Sequence, residues 1–190
     1  IGLFVIMVAR AHGASRIIGI EPLDMHIDMA KKLGADEVVK LDVNKKLDPS
    51  WKSDPEVVKQ VKELTRGIGA DVSMEMSGFN SSVNNAIHST RRGGDVVLFG
   101  LKSGESVLED FDRMIVNGIS MHSVIGREIM KTWYITRNLL EDKSNGIHDN
   151  VMNVILNGGL DTVVDINDFE PESFEEKIKT HPKIVIKFAG

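Results

Sequence analysis

Glu21 is the residue of this sequence whose position most clearly suggests chemistry. It ends a short β-rich run, and a carboxylate at the end of a strand can accept hydrogen bonds from both hydroxyls of a ribose. Gly2 lies 19 residues earlier, near the spacing of about 20 residues that separates a glycine-rich phosphate turn from such an acid. Gly2 would be the last glycine of that turn. An exposed acid and a helix-interior glycine would give the same pattern.

Two further candidates are turns that contain glycine and follow predicted strands. Ser77 and Gly78 form one turn, and Phe99, Gly100 and Leu101 form the other. A glycine in such a turn lets a flat ligand approach the backbone closely. Ordinary turn glycines would look the same in the sequence, so the ligand interpretation depends on where the fold places the two turns.

The last candidate is an arginine at the head of a predicted helix. Arg127 follows Gly126, and its bidentate guanidinium suits a pyrophosphate. The guanidinium is repelled by the positive end of the helix dipole, so an anionic partner would offset that cost. A solvated arginine is the alternative. The six histidines show no metal-binding spacing, and the sequence has no P-loop and no nucleophile elbow.

Regular elements must position these residues, and their periodicity predicts which ones. Apolar residues at helical spacing and glycine stops predict helices near residues 1–12, 25–33, 55–66, 80–91, 110–116, 127–141, 148–156 and 174–179. Short β-rich runs predict strands near residues 16–20, 37–41, 71–76, 95–99, 119–124 and 184–188. The alternation predicts an α/β fold, a Rossmann-like doubly wound parallel sheet. Ligands of such sheets bind at the carboxyl ends of the strands.

Composition excludes several other function classes. The chain has 190 residues, of which 42% are apolar, and a formal net charge of −5. The acidic balance disfavours nucleic-acid binding, and no run of 18 apolar residues predicts a membrane span. Because the chain contains no cysteine, it can hold no disulfide, no cysteine nucleophile and no zinc–thiolate site.

Several segments together resemble the coenzyme domain of zinc-dependent medium-chain alcohol and polyol dehydrogenases. They are Glu21-Pro22-Leu23-Asp24 and residues 30–36, 69–78 and 93–100. The stretch Gly126-Arg127-Glu128 with Thr132-Trp133-Tyr134 is more specific, because it resembles the L-threonine 3-dehydrogenase branch. The resemblance covers about residues 1–142 and fits the tail poorly.

The resemblance implies that the domain binds NAD(H). Gly2 would close the pyrophosphate turn and Glu21 would bind the adenosine ribose, where a carboxylate repels the 2′-phosphate of NADP. His26 occupies the position, five after the acid, where threonine dehydrogenases often have a basic residue. The nicotinamide would be lined by Phe99, Gly100, Leu101, Val124 and Ile125.

The resemblance also implies a longer protein. The family's catalytic zinc, its ligands and its proton relay lie in an N-terminal domain, so we expect zinc only there and the first strand of the sheet upstream of Ile1. We predict a truncated NAD-binding domain over residues 1–142 and a C-terminal segment over 143–190 that packs on the catalytic domain. The whole protein is expected to be a cytoplasmic homo-oligomer that oxidises a small-molecule alcohol, L-threonine or polyol-like. This chain alone is expected to be inactive.

Two other function classes fit the same predicted fold. A nucleotide-sensing Rossmann module would bind a cofactor without catalysis. An S-adenosylmethionine methyltransferase also uses an acid after its second strand. The segment from Gly126 to Tyr134 favours the dehydrogenase over both. It follows the strand predicted at 119–124, which is the sixth strand of the sheet when the expected upstream strand is counted. A zinc domain encoded upstream of Ile1 would separate an enzyme from a sensor.

Overall fold

The computed structural model of the protein describes residues 1–102, 104–126 and 128–188. The predicted α/β class with parallel strands is confirmed. The chain forms two compact units. Unit 1 contains Ile1–Gly2, Ile18–Asp24 and the chain from Val38 to Gly126, and unit 2 contains Leu3–Ile17, Met25–Glu37 and the chain from Glu128 onward.

Unit 1 is built around a three-stranded parallel sheet. Its strands, in the spatial order β3–β4–β5, are β3 (Ala70–Glu75), β4 (Thr90–Leu98) and β5 (Ser120–Ser123). Glu75 is paired with Leu98, and Leu98 with Ser123, so the three strands end level with one another. Because parallel strands share one carboxyl edge, the segments that follow these three residues lie along the same edge of the sheet.

The helices of unit 1 pack their apolar side chains on its strands. They are α3 (Pro55–Leu64), α4 (Asn80–Ser89) and α5 (Phe111–Asn117). Asp54 begins α3 by accepting a hydrogen bond from the Glu56 amide at 2.9 Å, with Pro55 in the first turn. Ile87 and Val96 are completely buried between α4 and β4. A strand pair, β1 (Ile18–Glu21) with β2 (Glu37–Lys40), precedes these elements.

Strand β4 begins earlier than the sequence predicts. The sequence predicts a strand only from about residue 95, after Gly93 and Gly94, but the strand runs from Thr90. Ala70 pairs with Thr90 and the next ladder pair is Val72 with Asp95, so β4 carries extra residues between the two pairs. A Cβ at Gly94 would lie 2.6 Å from Thr90 Cγ2 and 2.8 Å from the Asp71 carbonyl oxygen. The two glycines therefore serve a bulge within the strand.

Buried asparagines on α4 fix the loops beside it. Asn84 is completely buried, and its amide donates to the carbonyl oxygens of Trp51 at 2.7 Å and Val107 at 3.0 Å. Its side-chain oxygen accepts from the Glu109 amide at 3.0 Å. Asn80 holds both the amide and the carbonyl of Val107. These bonds satisfy loop backbone that would otherwise be buried without partners.

Unit 2 is mainly helical, with a small core. It contains most of α1 (Gly2–Ala11) and α2 (Asp24–Lys32), then α6 (Lys131–Glu141), α7 (Ile147–Asn150) with a π-helical continuation at Val151–Ile155, and α8 (Pro171–Thr180). Met7, Leu33, Ile147 and Ile155 form the buried core. Strand β6 (Val163–Asp165) pairs in parallel with β7 (Val185–Lys187). The sequence predicted β7 and the tail helices but missed β6.

Arg10 fixes the turn that follows α2. Its guanidinium donates twice to the Gly34 carbonyl oxygen, at 3.1 and 2.8 Å, and once to Asp36 at 2.6 Å. The Ile17 amide also donates to the Asp36 carboxylate at 2.7 Å. That amide, together with the Arg10 guanidinium, holds the pKa of Asp36 below its ordinary value. The turn therefore keeps an ionised carboxylate at neutral pH.

Helix α6 begins later than predicted. The sequence predicts a helix from Arg127, whereas α6 starts at Lys131. Met130 has a φ of 74°, which interrupts the helical backbone, and the Glu128 amide donates to the Thr132 hydroxyl at 3.1 Å. No helix in the described part of the chain is long and apolar enough to cross a membrane.

The asparagine contacts predict a large difference between two identical substitutions. Asn84→Asp removes the donor to the Trp51 and Val107 carbonyl groups and introduces a charge at a completely buried position, so we expect a loss of about 3 kcal/mol or more in the free energy of unfolding. Asn138→Asp, on an exposed turn of α6, should change stability by about 0.5 kcal/mol or less. Urea denaturation of the whole protein measures both, and equal losses would contradict the role assigned to Asn84.

Candidate functional site

Two turns meet at the carboxyl edge of the sheet in unit 1. We call them the paired glycine turns: residues 76–79, which follow β3, and residues 99–101, which follow β4. A Cβ at Gly78 would collide with the Leu101 carbonyl oxygen, and one at Gly100 would collide with the Gly78 amide nitrogen. Gly78 also has a φ of +79°, a conformation that favours glycine. The turns thus contact each other backbone to backbone, a spacing that a side chain at either position would prevent.

Glu75 joins the two turns through both its backbone and its side chain. Its carbonyl oxygen accepts from the amides of Phe99 at 2.9 Å and Gly100 at 3.1 Å. Its carboxylate, on a residue only 4% exposed, accepts from the Ser77 amide at 2.7 Å and the Gly78 amide at 3.0 Å. The Ser77 hydroxyl donates to the same carboxylate oxygen. One residue therefore satisfies the polar backbone of the turn after β3 and that of the turn after β4.

The strand pattern did not identify Glu75, because β3 is inverted relative to the usual alternation. Its polar residues occupy one face, and on that face Ser73 accepts from the Thr90 hydroxyl at 2.7 Å while Glu75 is buried. The apolar Val72 and Met74 are 46% and 49% exposed. A glutamate at an inward position, followed at once by Ser-Gly, is the signal that could have found it.

An apolar rim borders the paired glycine turns. Leu101 and Ile125 are each 88% exposed, and Phe79 and Val124 are also exposed. The Val124 amide donates to the Leu98 carbonyl oxygen at 2.9 Å, which continues the sheet pairing past the end of β5 and keeps the rim at the same edge. Exposed apolar side chains around a polar turn are typical of a binding surface for a flat ligand or another part of the protein.

The predicted site residues divide between places in the fold. The structure brings Ser77, Phe99, Gly100 and Leu101 together at the paired glycine turns, with Val124 and Ile125 after the adjacent strand β5. Arg127 lies outside the described residues.

The remaining predicted residues lie on β1, α1 and α2. Glu21 ends β1, is half-buried, and accepts from the Leu23 amide at 3.0 Å, which orients its carboxylate. Gly2 begins α1, and a Cβ there would meet no described atom within 4 Å. His26 lies in the first turn of α2. These positions are the strand end and the helix start that nucleotide binding requires.

A separate cleft in unit 1 is lined by cations but has a structural explanation. Lys59, Lys62 and Arg66 line it from α3 and the turn after it, with His88 and Glu109 opposite. Cations in the last turn of a helix complement its dipole. Burial raises the pKa of Glu109, but the Ser53 amide and nearby positive charges outweigh it and hold that pKa below its ordinary value. The cleft thus contains its own anion.

The described residues contain no cluster of three or more histidine, aspartate or glutamate side chains that could hold a metal ion.

Comparison with known proteins identifies the family. Residues 1–142 match the family described as zinc-binding dehydrogenase. The chain belongs to the zinc-binding dehydrogenase family. Among its relatives, L-threonine 3-dehydrogenase of Pyrococcus horikoshii is 33% identical over 141 residues, and that of Francisella tularensis subsp. mediasiatica is 32% identical over 145 residues. The predicted resemblance to this family and to its threonine dehydrogenases is confirmed.

Two solved structures show the same fold. The chain resembles an alcohol dehydrogenase of Thermotoga maritima with a TM-score of 0.74 at 16% identity, over 99% of this chain and 47% of that one. It resembles 2R,3R-butanediol dehydrogenase of Bacillus subtilis with a TM-score of 0.69 at 21% identity, over 100% and 48%. The matched region is 74% of this chain but only 37% of the Pyrococcus enzyme and 39% of the Francisella enzyme.

The contact between the turns predicts a measurable difference between two glycines of similar backbone conformation. Gly78→Ala and Gly118→Ala both place a side chain at positive φ, +79° and +59°, but only the first also collides with backbone atoms. We expect Gly78→Ala to lose about 1–3 kcal/mol more stability than Gly118→Ala. Hydrogen exchange of the Phe99 and Gly100 amides in the whole protein should accelerate only in Gly78→Ala. Equal protection in both variants would contradict the packing described here.

Proposed function

We propose that this chain is the NAD-binding part of a zinc-dependent oxidoreductase that transfers a hydride from a secondary alcohol to NAD. The observation that carries the proposal is the pair of glycine turns at the carboxyl edge of a parallel sheet, where this fold binds ligands. The names of the threonine dehydrogenase relatives support L-threonine, or a related secondary alcohol such as a polyol, as the substrate.

The adenosine half of the cofactor would bind the elements around β1. Glu21 would accept hydrogen bonds from the two ribose hydroxyls. Its carboxylate, which the Leu23 amide orients, would exclude a 2′-phosphate by charge repulsion. The backbone amides of the first turn of α1, beginning at Gly2, would face the pyrophosphate. His26 and Arg127 are proposed to add contacts to the adenosine and the pyrophosphate, respectively.

The nicotinamide half would bind at the paired glycine turns. When bound, NAD supplies the hydride acceptor, carbon C4 of the nicotinamide ring. Gly100 and Ser77 would let the ring approach the backbone. Phe99, together with Leu101, Val124 and Ile125 of the apolar rim, would shield one side of the ring from water. Exclusion of water strengthens the polar contacts that orient the ring.

The reaction needs groups that we propose lie in the rest of the protein. A zinc ion bound outside this chain would polarise the alcohol oxygen as its proton leaves. The segment 143–190 is proposed to pack on that catalytic domain, and we propose that the whole protein is a homo-oligomer acting on a small-molecule alcohol. A cytoplasmic location stays a prediction from the resemblance.

The role of Glu21 predicts cofactor preference. The whole protein should bind NAD more tightly than NADP, and Glu21→Ala should weaken NAD binding by about tenfold or more, because a charged hydrogen-bond acceptor is lost. Glu37→Ala, which removes an exposed carboxylate from β2, is the matched control and should leave both affinities unchanged. Calorimetric titration of each variant with both cofactors measures this, and equal wild-type affinities for NAD and NADP would refute the ribose assignment.

The substrate class is tested by turnover. The whole protein, loaded with zinc and NAD, should form NADH when given L-threonine. The absorbance of NADH measures this turnover. If only polyols such as sorbitol or butanediol were oxidised, the threonine branch would be wrong while the reaction class stood. Tight NAD binding with no turnover of any alcohol would favour a nucleotide-sensing module instead.

A further inference from the structure

Glu75 is buried where the two paired glycine turns contact each other. Its carboxylate accepts from two amides and one hydroxyl of the turn after β3, and its carbonyl oxygen accepts from two amides of the turn after β4. In each of these contacts Glu75 is the acceptor. A carboxylate oxygen of Glu75 also lies only 2.5 Å from the position that a Cβ on Gly100 would take.

Losing this carboxylate would affect the turns in a specific way. The buried Gly78 amide would lose its acceptor, and so would the amide and the hydroxyl of the exposed Ser77. The turn after β3 would have to rotate to reach water. It would then break the backbone contact between Gly78 and Leu101, because that contact leaves no room for movement.

We propose that Glu75 is a positioning residue for the nicotinamide half of the cofactor, an inference that rests on the proposed function. Glu75 does not contact the ring itself. It holds the paired glycine turns at the spacing that admits a flat ring between them and the apolar rim. The adenosine half is held by Glu21 and the start of α1, which are different elements, so the effect of Glu75 is confined to one end of the cofactor.

The test compares two ligands that differ only at the nicotinamide. NADH carries the ring, and ADP-ribose carries the adenosine, the pyrophosphate and the second ribose without it. In the whole protein, Glu75→Ala should weaken NADH binding by about tenfold or more, while ADP-ribose binding stays within about twofold of wild type. Glu75→Gln keeps one acceptor oxygen for Ser77 and Gly78, so its loss should fall between that of Glu75→Ala and wild type.

Glu109→Gln is the matched control. Glu109 is another largely buried carboxylate of unit 1, and it accepts from the Ser53 amide at 2.7 Å, away from the paired glycine turns. It should leave the ratio of the NADH and ADP-ribose affinities unchanged. Because ADP-ribose reports on the folded adenosine site, it also shows whether each variant is folded. If Glu75→Ala does not fold, Glu75→Gln provides the same comparison.

The outcomes separate this inference from the function on which it rests. Selective loss of NADH in the Glu75 variants supports it. Equal weakening of NADH and ADP-ribose binding overturns the inference, because Glu75 would then stabilise the domain as a whole. An unchanged NADH affinity overturns it too. A wild-type protein that binds neither ligand would overturn the proposed function as well.

Discussion

The candidate site depends on a backbone contact between two turns. Gly78 and Gly100 approach so closely that neither position has room for a Cβ, and the hydrogen bonds of Glu75 keep them there. Such proximity is possible because β3 and β4 are parallel neighbours whose ends are level, with Glu75 opposite Leu98. The sheet therefore supplies the alignment, the glycines supply the space, and one carboxylate supplies the partners that buried backbone amides require.

The same interaction explains the unusual composition of β3. A parallel strand covered on both faces reads as a nearly continuous apolar run, yet β3 has Asp71, Ser73 and Glu75 on one face. Ser73 and Glu75 are used by neighbouring segments, by Thr90 and by the turn that follows the strand. Polar residues are tolerated there because each finds a specific partner. The strand thus combines a structural role with the positioning of the ligand edge.

Much of the fold and part of the site could be predicted from sequence, for physical reasons. Helix periodicity and glycine stops are local signals, so α1, α2 and α3 were placed within a few residues. The bulge at Gly93 and Gly94 was missed because a glycine pair looks the same in a turn and in a strand, and only the register with Ala70 and Val72 separates them. Strand β6 was missed because its three residues form a strand only through pairing with β7.

Glu75 and Asn84 show which functional information a pattern leaves out. Both are polar residues in buried positions, and each holds loop backbone: the Glu75 carboxylate binds the Ser77 and Gly78 amides, and the Asn84 amide binds the distant Val107 carbonyl. Glu21 was predicted because its role follows from its position at a strand end. Residues that would touch the ligand can therefore be found from motif spacing. Those that hold the motifs in place are found only when the burial and hydrogen bonds of each polar side chain are traced through the fold.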